Sequence, residues 1–586
     1  MVTFNEFRVL NELRQGLVQT QRQIAQAIGL SLGTVNGVIK GLKTKGLLSQ
    51  DMQVTQEGMQ ALEPYCVQNA VILAAGMASR FAPLSFEKPK AMFEVRGEVL
   101  IERLIRQLKE AGISDITVVV GYMKETFFYL EDELGVKIVV NPLYAERGNH
   151  ASLYCAKEVL GNTYVCCSDE YYTENPFNAY VYRPYLSAVP GESVKKKYVL
   201  TADSSRKITK ISRSGENCLY FVGPAYFDKG LSQQILGFIQ DEYDEPSIKG
   251  KLWDDIMSDH IAELDIHVKA YPKETIYEFD YVTDLVAFDR DFFANVDSHI
   301  LDNICNTLSC TRDDISDVEP VKAGLTNLST LFSAKGVKYI YRHPGTGTDE
   351  IVNRKAEAFA LQVAKELGLD DTFIYEDPQE GWKISRYIEG CTELDYGNRQ
   401  QVARALQMAR QLHTSGKQSP YSFDFYHEGL SIIRILREMK YPLPRDFDSL
   451  AARVGDIADK MHQEAGEPVL CHNDFYGPNF LVKGDEMRLI DWEYAAMGDA
   501  ACDLGNFVAQ GSGYTIEETL DILPLYYGRP ATEQEQRHCL AAGGLVGWSW
   551  YVWAMYKGAM GNPVGEWLYI WYRAAKQFTE AAEKMY

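Results

Sequence analysis

The sequence predicts a multidomain chain that combines α+β and α/β architecture in three unequal units, and three observations predict it. The chain has 586 residues, more than one domain of about 150 residues can organise. Between residues 70 and 290, short apolar runs alternate with helical periodicity, the pattern of an open, mostly parallel sheet flanked by helices. Past residue 296 a β-rich stretch gives way to helices that run to residue 586. The expected units are residues 1–66, 67–295 and 296–586.

Composition sets the limits. With 59 basic against 81 acidic side chains the formal net charge is −22, and 46% of residues are hydrophobic. That balance excludes a mainly disordered chain, and the acidity argues against a protein built mainly to coat nucleic acid or an anionic membrane, while leaving room for a small basic patch on one domain. The 11 cysteines are odd in number and include no CxxC pair. Neither a disulfide framework nor a zinc site is expected, and a reducing compartment is. Glu6 and Arg8 stand where a signal peptide needs an apolar stretch, and Gly543 to Tyr556 is shorter than the about 20 residues that cross a bilayer. The expectation is a soluble, cytoplasmic protein with no membrane insertion.

The first unit reads as helices. Leu10, Leu13 and Leu17 recur at helical spacing, Thr20 caps a helix ended by Gly29, and Ser31 caps another ended by Gly46. Leu47 to Thr55 then suits a two-stranded wing. This order resembles a winged helix-turn-helix with Ser31 to Lys43 as the recognition helix. Residues 1–65 carry six basic and five acidic side chains, a weak footprint for DNA. Lys40, Lys43 and Lys45 would meet phosphates, and Ser31, Thr34 and Asn36 bases. DNA binding through residues 1–66, a packing or dimerisation role, and a homo-oligomer all stay open.

The second unit opens with the strand Ala70-Val71-Ile72-Leu73. Helices follow at Val99 to Ala111 and Ser152 to Leu160, and strands at Ile116 to Val120, Val136 to Val140 and Tyr164 to Cys167. In the loop after the first strand, the small residues Ala74, Ala75, Gly76 and Ala78 let backbone amides approach a polyphosphate. Arg80 and the catalytic candidate Lys90 bring positive charge to the phosphates as a pyrophosphate leaves. Asp169 at a strand end, with Asp280, supplies the carboxylate pair that would hold Mg²⁺ for nucleotidyl transfer.

Leu73 to Lys90 resembles the sugar-nucleotide type of nucleotidyltransferase, whose pattern is LAAGxGxRxxPLTxxxPK, and the likeness runs from Ala70 to about Asp289. It implies a Rossmann-like nucleotidyltransferase α/β sheet. Ala78 stands where that family carries glycine, so a negative φ is expected there. Within this fold the chain most resembles the CTP:phosphocholine cytidylyltransferases. The matching pieces are Val120-Gly121-Tyr122, Gly148 to Tyr154, Ser168-Asp169-Glu170-Tyr171, Leu252 to Asp255 and Tyr277 to Asp280. The resemblance implies that Asn149 and Ser152 lie near the nucleotide, beside Ala75 and Gly76. Trp253 with Asp254, Asp255 and Glu278 would cage a quaternary ammonium, core packing being the other reading of Trp253.

In the third unit, His472-Asn-Asp-Phe-Tyr-Gly-Pro-Asn479 places Asp474 five residues before Asn479, and Asp491 follows twelve residues later. That is kinase catalytic-loop spacing, with Asp474 accepting a hydroxyl proton and Asn479 and Asp491 holding Mg²⁺. Upstream, Gly324 to Asn327 suits a loop over phosphates. Arg342, on the strand that begins at Val337, would reach them with Glu357 as its ion-pair partner. This plan resembles the choline/ethanolamine and aminoglycoside kinases, a kinase-like two-lobed domain in which choline kinases commonly carry arginine at that strand. Trp550 and Trp553 share a helix face. With Tyr494 and Tyr572 they would form a box for choline, a tryptophan-rich core being the alternative.

Together these features predict a bifunctional enzyme. ATP phosphorylates choline, and CMP passes from CTP to phosphocholine to give CDP-choline, which the resemblance ties to decoration of bacterial surface polymers. Two rivals are weighed. One is an ethanolamine or amino-sugar kinase fused to a sugar-phosphate nucleotidylyltransferase. The other is a transcriptional regulator that senses choline metabolites, which the intact Lys90, Asp169, Asp474, Asn479 and Asp491 oppose.

Overall fold

The computed structural model describes residues 2–16, 20–321, 327–344, 352–561 and 563–586. It forms two compact units, Met1–Leu301 and Asp302–Tyr586. Residues 1–66 and 67–295, expected as separate units, thus fall in one.

The first unit begins with helices Phe4–Arg14, Gln21–Ile28 and Leu32–Thr44. Thr3, Thr20 and Ser31 cap them by accepting the amides of Glu6, Gln23 and Thr34, which satisfies donors the helix leaves unpaired. Their apolar faces bury Val9, Leu10, Ile24, Val35, Ile39 and Leu42. The expected wing is reduced to one Leu48–Val54 bridge. Thr55 caps an unforeseen helix, Gln56–Leu62, which takes the chain out of extended conformation. The next residues run against the sheet domain. Val67 donates to the Ala179 carbonyl at 2.9 Å and Val181 to that of Tyr65 at 2.8 Å. Tyr65 stacks on Tyr182 with centroids 5.1 Å apart, and Phe4 and Phe7 lean on the same ring.

The main sheet has seven strands in the order His267–Ala270, Tyr185–Ala202, Ile208–Phe227, Thr163–Cys167, Asn69–Ala74, Ile116–Val120 and Lys137–Val140. Ile208–Phe227 is antiparallel to both neighbours and the other pairings are parallel. Asn69–Ala74 and Ile116–Val120 are buried along their whole length, as strands covered on both faces are. Their parallel course brings the loop after Ala74 and the residues after Cys167 to one sheet edge. The helix expected at Ser152 to Leu160 spans Asn149–Cys155 and ends in the short turn Lys157–Val159.

The second unit carries an antiparallel five-stranded sheet, in the order Ile315–Val321, Asn327–Ala334, Val337–Pro344, Lys383–Arg386 and Phe373–Glu376. The last two strands, four residues each, were not expected, being too short to show a period. A helical lobe follows, built around Glu533–Ala559. Gly544 and Gly547 let the helix Trp567–Glu583 approach it. A Cβ at Gly544 would lie 2.6 Å from Thr579 Oγ1, and one at Gly547 would lie 2.8 Å from the Ala575 amide nitrogen. Among the described residues, no helix is long and apolar enough to cross a membrane.

Candidate active sites

In the first unit a cleft of about 390 Å³ is lined by the loop after Ala74 together with Lys90, Asn149, Ser152, Asp169 and Asp280. Ala78 departs from expectation. Its φ is +48°, so this alanine takes the left-handed conformation that glycine adopts freely, and the loop keeps its course at some strain. Ala75 and Gly76 line the cleft beside it.

Lys90 is 9% exposed, and its ammonium bonds Asp169 Oδ2 at 3.0 Å. Arg80 bonds Asp280 Oδ1 at 3.2 Å and lies over the Tyr281 ring. The Phe279 amide donates to the Asp169 carbonyl at 3.2 Å, tying the two carboxylate-bearing segments together. Asp169 Oδ1 is buried and has no hydrogen-bond partner. Two carboxylates, one with a free oxygen inside the cleft, fit a hard divalent cation. Asn149 accepts the Trp253 amide at 2.8 Å, and Ser152 accepts from Asn141 at 3.0 Å, so both are held rigid at the cleft wall.

The ammonium cage is only partly as expected. Trp253 is 1% exposed and packs edge-on against Phe221 and Phe227, at 5.8 and 5.5 Å. It belongs to the hydrophobic core, because it begins the helix Trp253–Asp259 on the face that covers the sheet. The aromatic ring beside the carboxylates is that of Tyr198, whose hydroxyl donates to Asp255 at 2.8 Å. The Arg213 guanidinium covers that ring at 4.2 Å. Asp254 is buried with Oδ1 unpartnered, and burial pushes its carboxyl well above the usual range. Glu170, also buried, is pushed up to about 8 by burial and then by the Asp169 charge.

Sequence reasoning missed Lys197, whose ammonium bridges Glu278 and Asp280. Burial opposes its charge, but the two carboxylates outweigh it and raise its pKa. Asp280 is held below its usual range, since Lys197, Lys90 and Arg80 outweigh burial.

In the second unit, Arg342 is 6% exposed on the strand Val337–Pro344 and pairs with Glu357, as the sequence suggested, and with Asp491 at 3.2 Å. Glu357 is fully buried. Burial would raise its carboxyl, but Arg342, Lys383 and Arg354 together hold it well below the usual range. Lys383, from an unforeseen strand, is 3.3 Å from Glu357. Gly324 to Thr326 lie outside the described residues; Asn327 begins a strand in register with Pro344.

The catalytic loop is fixed from below. Asp503, buried within the helix Ala500–Ala509, accepts the amides of His472 and Asn473 at 2.8 and 2.7 Å and the His413 imidazole at 2.9 Å. Asn473 and Asp491 take φ values of +61° and +66°, strain of a kind stored where surrounding structure dictates side-chain aim. Asp474 receives Asn479 Nδ2 at 2.9 Å on one oxygen and Gln510 Nε2 at 3.0 Å on the other. Burial pushes its carboxyl up to about 8 against these donors. Asp474, Asn479 and Asp491 offer an all-oxygen donor set suited to a hard cation.

Gln510 and Asn506, both overlooked, link this loop to the aromatic cluster. Trp571 donates to Gln510 Oε1 at 3.2 Å, Trp550 to Asn506 Oδ1 at 2.9 Å, and Gln510 to the same Asn506 oxygen at 2.8 Å. The only sequence signal is spacing on one helix face: Asp503, Asn506 and Gln510 follow at three and four residues. Trp550, Trp553 and Tyr494 come together as expected. Tyr572 does not join them. It bonds Asp446 at 2.6 Å and packs on Tyr551, one position around its helix, and Trp571 takes the place by the cluster.

In residues 1–66, Lys45 pairs with Glu6 at 2.7 Å and Lys43 donates to the Gln50 carbonyl at 2.6 Å, so two of the three expected phosphate contacts are engaged within the unit.

Fold and geometry define a nucleotidyltransferase joined to a kinase-like phosphotransferase. Residues 70–169 match the MobA-like NTP transferase domain, and residues 317–534 the phosphotransferase enzyme family. The chain is 36% identical over 233 residues to 2-aminoethylphosphonate cytidylyltransferase of Lancefieldella rimae, covering 38% of this chain and 93% of that one. It is 36% identical over 215 residues to choline-phosphate cytidylyltransferase of Streptococcus pneumoniae, covering 37% and 94%. The crystal structure of choline kinase LicA from Streptococcus pneumoniae matches 48% of this chain and 100% of that one, at 25% identity and a TM-score of 0.42. The chain belongs, through its first unit, to the family of these cytidylyltransferases, and it fuses that domain to a phosphotransferase.

Proposed function

We propose that the chain makes CDP-choline in two steps, phosphorylating choline with ATP and then transferring CMP from CTP to phosphocholine. The observation that supports this most is the joining in one chain of a cytidylyltransferase-like domain and a phosphotransferase domain, each with a carboxylate cluster, whose reactions would be consecutive: the product of the Asp474 site would be a substrate of the Asp169 site. Both steps need nucleoside triphosphates and therefore belong in the cytoplasm, and CDP-choline would serve the decoration of bacterial surface polymers.

In the first step Asp474 orients the choline hydroxyl and accepts its proton, held in place by Asn479 and Gln510. Trp550, Trp553, Trp571 and Tyr494, buried together and tied to the loop through Asn506 and Gln510, would supply the aromatic wall for the quaternary ammonium. Arg342 leaves Asp491 for the ATP phosphates while Glu357 keeps it in place. In the second step a phosphocholine oxygen attacks the CTP α-phosphorus and pyrophosphate departs. Lys90 and Arg80 bear the charge that develops there. Tyr198, Asp254, Asp255 and Glu278 face the choline end. Asn479 and Asp491 in one site, and Asp169 and Asp280 in the other, would hold Mg²⁺, which when bound neutralises phosphate charge.

Product analysis of the full chain with choline, ATP, CTP and Mg²⁺ tests the reading. Asp474→Ala should abolish phosphorylation of choline while CDP-choline still forms from added phosphocholine and CTP. Turnover of ethanolamine or an amino sugar with indifference to choline would sink it. A second reading has its own support: carboxylates at the acceptor end suit a primary ammonium too, and one relative at 36% identity acts on 2-aminoethylphosphonate. Competition between that compound and phosphocholine for CTP decides between them.

A further inference from the structure

At the cleft of the first unit the protein's own cations neutralise its carboxylates. Asp169 faces Lys90, Asp280 faces Arg80 and Lys197, and Glu278 faces Lys197. Lys90 and Arg80 belong to the phosphate-binding loop, and their place beside carboxylates is easily understood. Lys197 comes from elsewhere, the long strand Tyr185–Ala202.

The backbone is bent to bring it in. Lys196 takes a φ of +61°, and the pairing register with the next strand shifts between Lys195 and Val199. A bulge of this kind re-aims a side chain, and the left-handed conformation at a lysine carries a cost the fold must offset. Of three consecutive lysines, Lys195 and Lys196 are exposed and Lys197 alone turns inward. Its ammonium stands between two groups with different tasks: Asp280, a proposed metal ligand, and Glu278, at the acceptor's cationic end.

We propose that Lys197 is the cation exchanged for the divalent ion: its ammonium closes Asp280 and Glu278, then passes to the phosphoryl oxygens of the acceptor as the metal and both substrates bind. One movement would free Asp280 for metal and Glu278 for the acceptor's ammonium together. Metal without substrates is disfavoured, because displacing Lys197 before the acceptor is present leaves it with no anion to meet. The acceptor class this fits is a phosphate monoester or phosphonate with a cation at its other end.

The inference rests on the metal-site reading, and the test separates the two. The full chain carries Asp491→Ala to remove the ion proposed for the other site, and Mn²⁺ binding is followed by electron paramagnetic resonance. Without nucleotide, Lys197→Met should bind Mn²⁺ at least about tenfold tighter than its parent, while Lys197→Arg stays within about twofold, as loss or retention of one charge-assisted contact implies. In cytidylyl transfer, Lys197→Met should raise the KM for phosphocholine at least about tenfold and leave that for CTP within about threefold. Parental Mn²⁺ affinity or an unchanged phosphocholine KM in Lys197→Met overturns the exchange. Unchanged Mn²⁺·CTP binding in Asp169→Asn overturns instead the metal site on which it rests. Lys197→Gln carries the same measurements should the methionine variant unfold.

Discussion

Lys269, on the edge strand His267–Ala270, lays its ammonium against the Tyr185 and Tyr271 rings, 4.8 and 5.0 Å from their centroids. Burial lowers its pKa from 10.5 to about 8. Between those values the folded protein binds fewer protons than the unfolded chain, so stability rises with pH through that window and the cost is fully present below it. Lys269→Met should therefore stabilise the first unit at pH 7 by about 1–3 kcal/mol, with the gain shrinking by pH 10. Denaturant unfolding at both pH values checks this; an equal gain at both would count against it. Gln510 acts differently, because it aims a catalytic carboxylate. Gln510→Met should lower kcat for ATP-dependent phosphorylation at least about tenfold with the KM for ATP within about twofold, since misaim costs rate more than binding. Asp474, Asn479 and Asp491 were legible in the sequence because their spacing is local. Lys197, Tyr198 and Gln510 were not, since a bulge and a helix end place them beside residues far away in the chain.

The same divide runs through the elements. Strands with long apolar runs and helices with capping residues were read within a few residues of their ends. The four-residue strands of the second unit and the helix Gln56–Leu62 were not, and Ala78 took the φ its sequence argued against. Position in a packed fold decided these cases. The helix Asn149–Cys155 offers a test at this scale. It begins at Gly148, where a Cβ would lie 1.9 Å from the Lys251 carbonyl oxygen. Gly148→Ala must shift the turn that carries Asn149 and Ser152. The KM for CTP should rise at least about tenfold, while ATP-dependent phosphorylation keeps its rate, because displacement of a binding wall weakens contacts on its own side only.

For the whole molecule, two units with separate carboxylate sites imply separable chemistry. Asp169→Asn, given choline, ATP and CTP, should accumulate phosphocholine. Asp474→Ala should form nothing from choline, and a mixture of the two variants should restore CDP-choline. Chromatography of the products checks all three, and a silent mixture would mean that phosphocholine never leaves the chain that makes it. The division into units carries one more consequence, at the junction of residues 62–69. There the backbone of Val67 and Gln68 bonds to Ala179 and Asn162, and Tyr65 lies flat on Tyr182. The N-terminal helices are thus joined to the transferase by its own core chemistry and lack the slack of a tether. A truncation starting at residue 67 would strip a stacked aromatic face and leave strand-edge groups open to aggregation. The helices cover an aromatic face that the transferase would otherwise expose, and whatever else they bind would be held against that domain.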